Sequence, residues 1–257
     1  MKRTLKAEFL KLRYQRSTWW LLVVSAVFAS LQTTSTVASS DIGTTIGIPG
    51  LDTVEGVRNV YSNAMSAYII AMIVGIIMST GEFRHSTAVA TYLAQPHRNV
   101  VMGAKMIAAA VTGVILQLFA SVVSIGAAAA LLTQYDSVSL PASEFLRIIG
   151  VALLSGLVMA IMGVALGQLI RNQIVAVAGS LFWLLIVEGL LIAFAEDIGK
   201  WLPTGAISGM LSLSIESDVF SFGQDLLSPW PATALLIAYA FVFAAFAAVT
   251  TLRRDID

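Results

Sequence analysis

Long apolar runs alternate along this chain with short polar intervals, and the length of each run decides the reading. A helix needs about 20 apolar residues to cross the hydrocarbon core of a bilayer. Six intervals reach that size, at residues 19–37, 60–80, 106–132, 148–170, 174–195 and 232–252, and only the fifth holds an acid or base, Glu188. The third exceeds what a crossing needs, which predicts a tilted helix or one that continues out of the bilayer. The pattern therefore predicts an all-α membrane protein of six transmembrane helices, organised as a single transmembrane domain over residues 1–257.

The polar intervals are unequal. Residues 2–16 place Leu5, Phe9 and Leu12 on one helical face, with lysines and arginines over much of the rest. That spacing predicts an amphipathic interfacial helix within residues 1–17, lying flat on the membrane surface, with Trp19 and Trp20 at headgroup level. The alternative is a frayed basic tail. A secretory signal fits poorly, since the basic stretch is long and the apolar run after it continues to spanning length. The interval 38–59 is polar and holds glycines, and 133–147 is short. The interval 196–231 contains "WLPTGAISGMLSLSI", too apolar for a solvated loop and too short to span, which predicts short helices dipping into the interface.

Composition agrees with this reading. The chain is 58% hydrophobic and 12% charged, with a mean hydropathy of +0.86, well outside soluble averages. The net charge of zero hides a strong asymmetry. With the N-terminus in the cytoplasm, twelve cations (Lys2, Arg3, Lys6, Lys11, Arg13, Arg16, Arg84, Arg98, Lys105, Arg171, Arg253 and Arg254) fall inside and three (Arg58, Arg147 and Lys200) outside. The positive-inside rule then predicts a multi-pass protein of the cytoplasmic (inner) membrane with both termini cytoplasmic. The absence of cysteine removes disulfides and thiolate chemistry.

The most informative polar interval is "STGEFRHSTAVATYLAQPHRNVVMGAK", residues 79–105. Ser79 and Glu82 have capping-box spacing, a short helix is predicted from about residue 86 to 94, and Pro96 stops it before the next span. Glu82, Phe83, Arg84, Thr87, Pro96, Arg98 and Lys105 follow the order glutamate, aromatic, arginine, two residues, threonine, then proline, basic residues and lysine. In this the chain resembles the permease subunits of ABC-2 type ABC transporters, in their first cytoplasmic loop. The basic N-terminal helix, six spans and partly apolar loop before the last span extend that resemblance over the whole chain. "VEGLL" and "WLPTGA" look like its actinobacterial branch.

The resemblance implies that the loop 81–104 is a cytoplasmic coupling helix between spans 2 and 3, and that Glu82, Phe83, Arg84, His85, Ser86 and Thr87 contact a separate ATPase. It also implies a unit of two P-loop ATPase subunits and two permeases, the second copy identical or a paralogue. The chain itself has no G-x-x-x-x-G-K-[ST] phosphate loop. No cofactor is therefore expected in it, ATP and magnesium being expected on the partner. Read without the resemblance, the loop is a cation-bearing segment that fixes topology.

An ionisable group inside a span prompts a functional hypothesis. Glu188 either lines or gates the translocation path between two protomers, or it is hydrogen-bonded to a neighbouring helix. Gly163 and Gly167, with Gly156 a heptad earlier, predict close helix contact, within the chain or across a dimer. Methionines and phenylalanines of spans 2 and 5 would offer a soft apolar surface to a lipid-like or drug-like substrate.

Enzyme chemistry has little to stand on, with no H-E-x-x-H and no G-x-S-x-G. The only histidines, His85 and His97, share one loop, and no metal site is expected. The cations suit a membrane surface, so nucleic acid is not expected as a partner. The resemblance favours an ATP-driven exporter of an amphipathic or hydrophobic substrate. The alternatives are a proton-coupled secondary carrier using Glu188, and a membrane anchor that recruits a cytosolic protein through residues 82–97.

Overall fold

The computed structural model describes residues 1–40, 44, 49–213, 215–216, 221–222 and 226–253. Arg254, counted above among the cations of the N-terminal side, lies outside them, as do parts of the intervals 38–59 and 196–231.

Among the described residues, six helices are long and apolar enough to span a membrane: Arg16–Ala38, Val54–Arg84, Arg98–Leu132, Ala142–Ile170, Gln173–Phe194 and Pro229–Val249, here spans 1 to 6. The third runs as one continuous helix from Arg98, eight residues before its apolar core begins. A separate helix, Lys2–Tyr14, precedes span 1, and a short one, Ala88–Ala94, lies between spans 2 and 3. Beyond span 5 come a four-residue turn of helix, Glu196–Gly199, and the nine-residue helix Pro203–Leu211. The predicted short helices are therefore present. They are followed by a two-residue antiparallel ladder, Ile215–Glu216 against Ser221–Phe222, that periodicity did not suggest.

Local chemistry sets the ends of these helices. Thr53 accepts the Gly56 N–H at the start of span 2, and Asn172 accepts those of Ile174 and Val175 at the start of span 5. Arg171, in the left-handed region with φ 54°, ends span 4, so span 5 begins after a two-residue turn. Pro203 occupies the first turn of its helix, where no N–H is missed.

Spans 2 and 4 form the centre. The most apolar stretch of each is 67% buried, against 22% for span 5 and 17% for span 6. Small residues make this possible. A Cβ on Gly75 would lie on the Ala160 carbonyl, one on Gly163 on the Met72 carbonyl, and one on Gly113 on the Gly156 carbonyl. The glycine pattern of span 4 thus serves contacts within the chain, to spans 2 and 3.

A 3-10 turn at Asn63–Met65 interrupts span 2. The Ala64 carbonyl there accepts from Gln117 Nε2 at 2.6 Å and Ser121 Oγ at 2.9 Å, both on span 3 and both buried. An unsatisfied carbonyl in this setting would cost several kcal/mol. The two side chains remove that cost and fix the register of spans 2 and 3 together.

Candidate functional site

Charged and polar groups collect at the two ends of the bundle. At the end that carries the N-terminus, the helix Lys2–Tyr14 turns Leu12 into the apolar core, with Leu5 and Phe9 packed against it. The predicted apolar face exists, and it meets the bundle. Glu8 interrupts that face and is only 3% exposed.

A burial of this kind demands partners. Lys11 Nζ donates to Glu8 Oε1 at 2.6 Å and to Glu82 Oε1 at 2.6 Å. Lys105 Nζ lies 2.8 Å from Glu82 Oε1 and 3.7 Å from Glu8 Oε2, and donates to the Met78 carbonyl at 3.2 Å. Two acids and two lysines thus join the N-terminal helix to the end of span 2 and the beginning of span 3. Burial, the largest influence on the Lys11 ammonium, pulls its pKa down. Hydrogen bonds to Glu8 and Glu82, with the attraction of both carboxylates, outweigh that and leave it above 10.5.

The structure divides the six loop residues. Glu82 is 6% exposed and belongs to this network. Phe83 is half-buried beneath Arg171, whose guanidinium carbon stands 5.2 Å from the ring centroid. Arg84, His85, Ser86 and Thr87 are exposed. The capping box is not formed: Ser79 lies inside a helix that continues to Arg84, and Glu82 turns to the lysines. The chain reverses instead at Ser86, with φ 54°, and the Thr87 N–H returns to the Glu82 carbonyl at 2.9 Å. The short helix then begins at Ala88, two residues later than the spacing suggested, and leaves Val89 51% and Leu93 80% exposed. Burial also pushes the Tyr92 hydroxyl pKa up, with the Glu82 charge adding to it.

At the opposite end, Glu188 is fully buried. It follows a π-helical turn, Trp183–Val187, which rotates the last part of span 5. One carboxylate oxygen accepts Trp183 Nε1–H at 2.9 Å, and the other accepts the Thr204 N–H at 3.0 Å. Of the two sequence readings, the geometry displays the hydrogen-bonded one: Glu188 caps the helix Pro203–Leu211. Arg147, at the start of span 4, holds the other end of that helix, donating to the Met210 carbonyl from Nη2 at 2.6 Å and Nε at 3.0 Å. Glu144 links Arg147 to Arg58 of span 2, at 3.7 and 3.1 Å.

Between these ends lies an apolar cavity of about 360 Å³ beside spans 2, 4, 5 and 6, lined among others by Met72, Met162, Leu184 and Phe243, with Glu188 and Trp183 at one side. Of the soft surface expected of spans 2 and 5, span 2 supplies Met72, whereas Phe182 and Phe194 of span 5 are exposed and the remaining methionine and phenylalanine come from spans 4 and 6. Among the described residues no group of three or more His, Asp or Glu is placed to hold a metal ion.

Sequence reasoning overlooked Glu8 and Arg147. Glu8 carried a signal, being the one acid within a basic helix and sitting on its apolar face. Arg147 carried only its spacing to Glu144, because the contact that holds the helix Pro203–Leu211 is to a backbone carbonyl 63 residues away. In comparisons with known proteins no family model matches the chain, and no curated protein matches it.

Proposed function

We propose that this chain is the membrane-spanning permease of an ATP-driven ABC-2 type exporter, energised by a separate ATPase that docks on the N-terminal end of the bundle. One observation carries the reading. The helix Ala88–Ala94 stands at the end of span 2 with two apolar side chains, Val89 and Leu93, exposed four residues apart. Side chains so spaced share a helix face. The polar turn Arg84–Thr87 beside them suits a protein groove better than lipid.

The charge network gives such a contact mechanical purpose. A push on the short helix reaches Glu82 through the tight turn at Ser86, and Glu82 is tied to span 3 and to the N-terminal helix. Movement of the loop would therefore move three elements together. The cavity beside spans 2, 4, 5 and 6 suits an apolar or amphipathic substrate. In this reading ATP and magnesium stay on the two partner ATPases, a second permease completes the unit, and the basic end faces the cytoplasm.

Replacing Leu93 by Glu tests the docking surface. Burying a leucine contributes about 1.5–3 kcal/mol, so L93E should weaken ATPase binding at least tenfold and abolish transport-coupled hydrolysis while insertion is unchanged. Undiminished coupling in L93E together with V89E would contradict it. The carrier reading draws less support, since both oxygens of Glu188 already hold structural hydrogen bonds.

A further inference from the structure

The apolar cavity beside spans 2, 4, 5 and 6 has one charged side chain in its wall and no cation to balance it. Glu188 is the only acid, lysine or arginine that lines it. Among the described residues no lysine or arginine lies within ion-pair distance of that carboxylate. Each of its oxygens accepts an N–H, one from Trp183 and one from Thr204, and the start of the helix Pro203–Leu211 favours negative charge there. The group is fully buried, so it presents its field to the cavity and not a contact, and a charge set in apolar walls is weakly screened. Aromatic rings add to that field. Tyr239 and Phe243 stand side by side with centroids 6.3 Å apart, and the Trp183 indole is held by the carboxylate itself. The cavity also has room and an entrance: a Cβ on Gly179 would meet nothing within 4 Å, and Ile170 and Trp183, both on spanning helices, are exposed on the flank of the bundle.

We propose that this cavity takes a lipophilic organic cation, one whose charge is shielded by apolar groups, as in a quaternary ammonium or phosphonium ion. A small hydrated ammonium would lose its water here and would need acceptors that a fully buried carboxylate does not present. An anion of the same shape would meet the Glu188 charge and the negative faces of the rings unfavourably. Entry from the flank suits a ligand that already partitions into the bilayer. The inference deepens the exporter reading by naming the substrate class; it rests on that reading for transport, but not for binding.

Tetraphenylphosphonium and tetraphenylborate share a shape and carry opposite charges. Equilibrium dialysis of the purified chain in a neutral detergent, against protein-free micelles, measures the binding of each. The wild type should bind the phosphonium saturably and in preference to the borate. E188Q should lower the phosphonium-to-borate ratio about tenfold. Because it is a ratio, this readout does not move with the fraction of chain that folds. G179L, which fills the open space on span 5, should abolish the saturable phosphonium binding. An equal ratio in wild type and E188Q would overturn the proposal. So would phosphonium binding unchanged in G179L, which would place the ion elsewhere. The assay contains no ATPase, so either failure leaves the docking surface untouched, whereas a chain that binds the phosphonium and recovers no ATPase would keep this site and lose the exporter reading.

Discussion

Glu188 and Arg147 grip opposite ends of one helix. The carboxylate of span 5 accepts the Thr204 N–H at the start of Pro203–Leu211, and the guanidinium of span 4 donates to the Met210 carbonyl at its end. A negative group at the N-terminus and a positive group at the C-terminus both oppose the helix dipole, and both satisfy backbone groups that such a short helix leaves open. The helix is thereby strapped across the ends of two spans that carry no other strong polar link to it among the described residues.

E188A should therefore destabilise the protein by about 1–3 kcal/mol, by leaving the Thr204 N–H and the Trp183 indole N–H without an acceptor. E188Q, whose amide oxygen keeps one acceptor, should lose less. Thermal unfolding in detergent, with hydrogen exchange over residues 203–211, checks both. Faster exchange confined to that helix is expected. R147M should increase exchange at its far end.

Removing one member of a buried charge network costs more than removing a balanced pair. K105M leaves Glu82 and Glu8 with only Lys11, and should lower stability by about 3–5 kcal/mol. The double variant Glu82→Gln with Lys105→Met should recover part of that loss. Equal melting temperatures for K105M and wild type would show that the network holds nothing.

Lys11 sets a pH dependence on the alkaline side. Its pKa is raised in the folded protein, so its contribution is complete below the unfolded lysine value near 10.4 and is lost as pH rises through the folded value above 10.5. The N-terminal helix should stay docked from pH 6 to 9 and loosen only beyond about pH 10.5. The chain has no cysteine of its own, so spin labels at A7C and H85C report this distance directly. In K11M the distance should already be broadened at pH 7.

G163A should push spans 2 and 4 apart, because the added methyl meets the Met72 backbone and not a movable side chain. A loss of about 1–3 kcal/mol is expected. Gly179 has open space around it, and G179A should be tolerated, with melting temperature as the readout for both.

The spans were legible because lipid solvation imposes length and apolarity on every crossing helix, whatever packs around it. All six contain the apolar runs or lie within a few residues of them, the largest difference being span 3, whose helix starts at Arg98 where the apolar run starts at 106. The N-terminal helix was legible as amphipathic, but an apolar face reads the same against lipid as against protein. Only the burial of Glu8 separates the two. Glu82 stood out for its spacing to Arg84 and Thr87, yet its lysine partners lie 71 positions before and 23 after it, where local pattern carries no information. The Glu188 cap and the Arg147 clamp bind backbone atoms, and backbone atoms leave no mark in a sequence.

The proposed docking of an ATPase on the exposed helix after span 2 is open to direct test. Its most direct measurement is mild-detergent purification of the tagged chain from its native membranes, with mass spectrometry of what accompanies it and an assay of vanadate-sensitive ATP hydrolysis. A stoichiometric P-loop ATPase is expected with the wild-type chain, and loss of both protein and hydrolysis with L93E. Recovery of the chain alone, without hydrolysis, would contradict it.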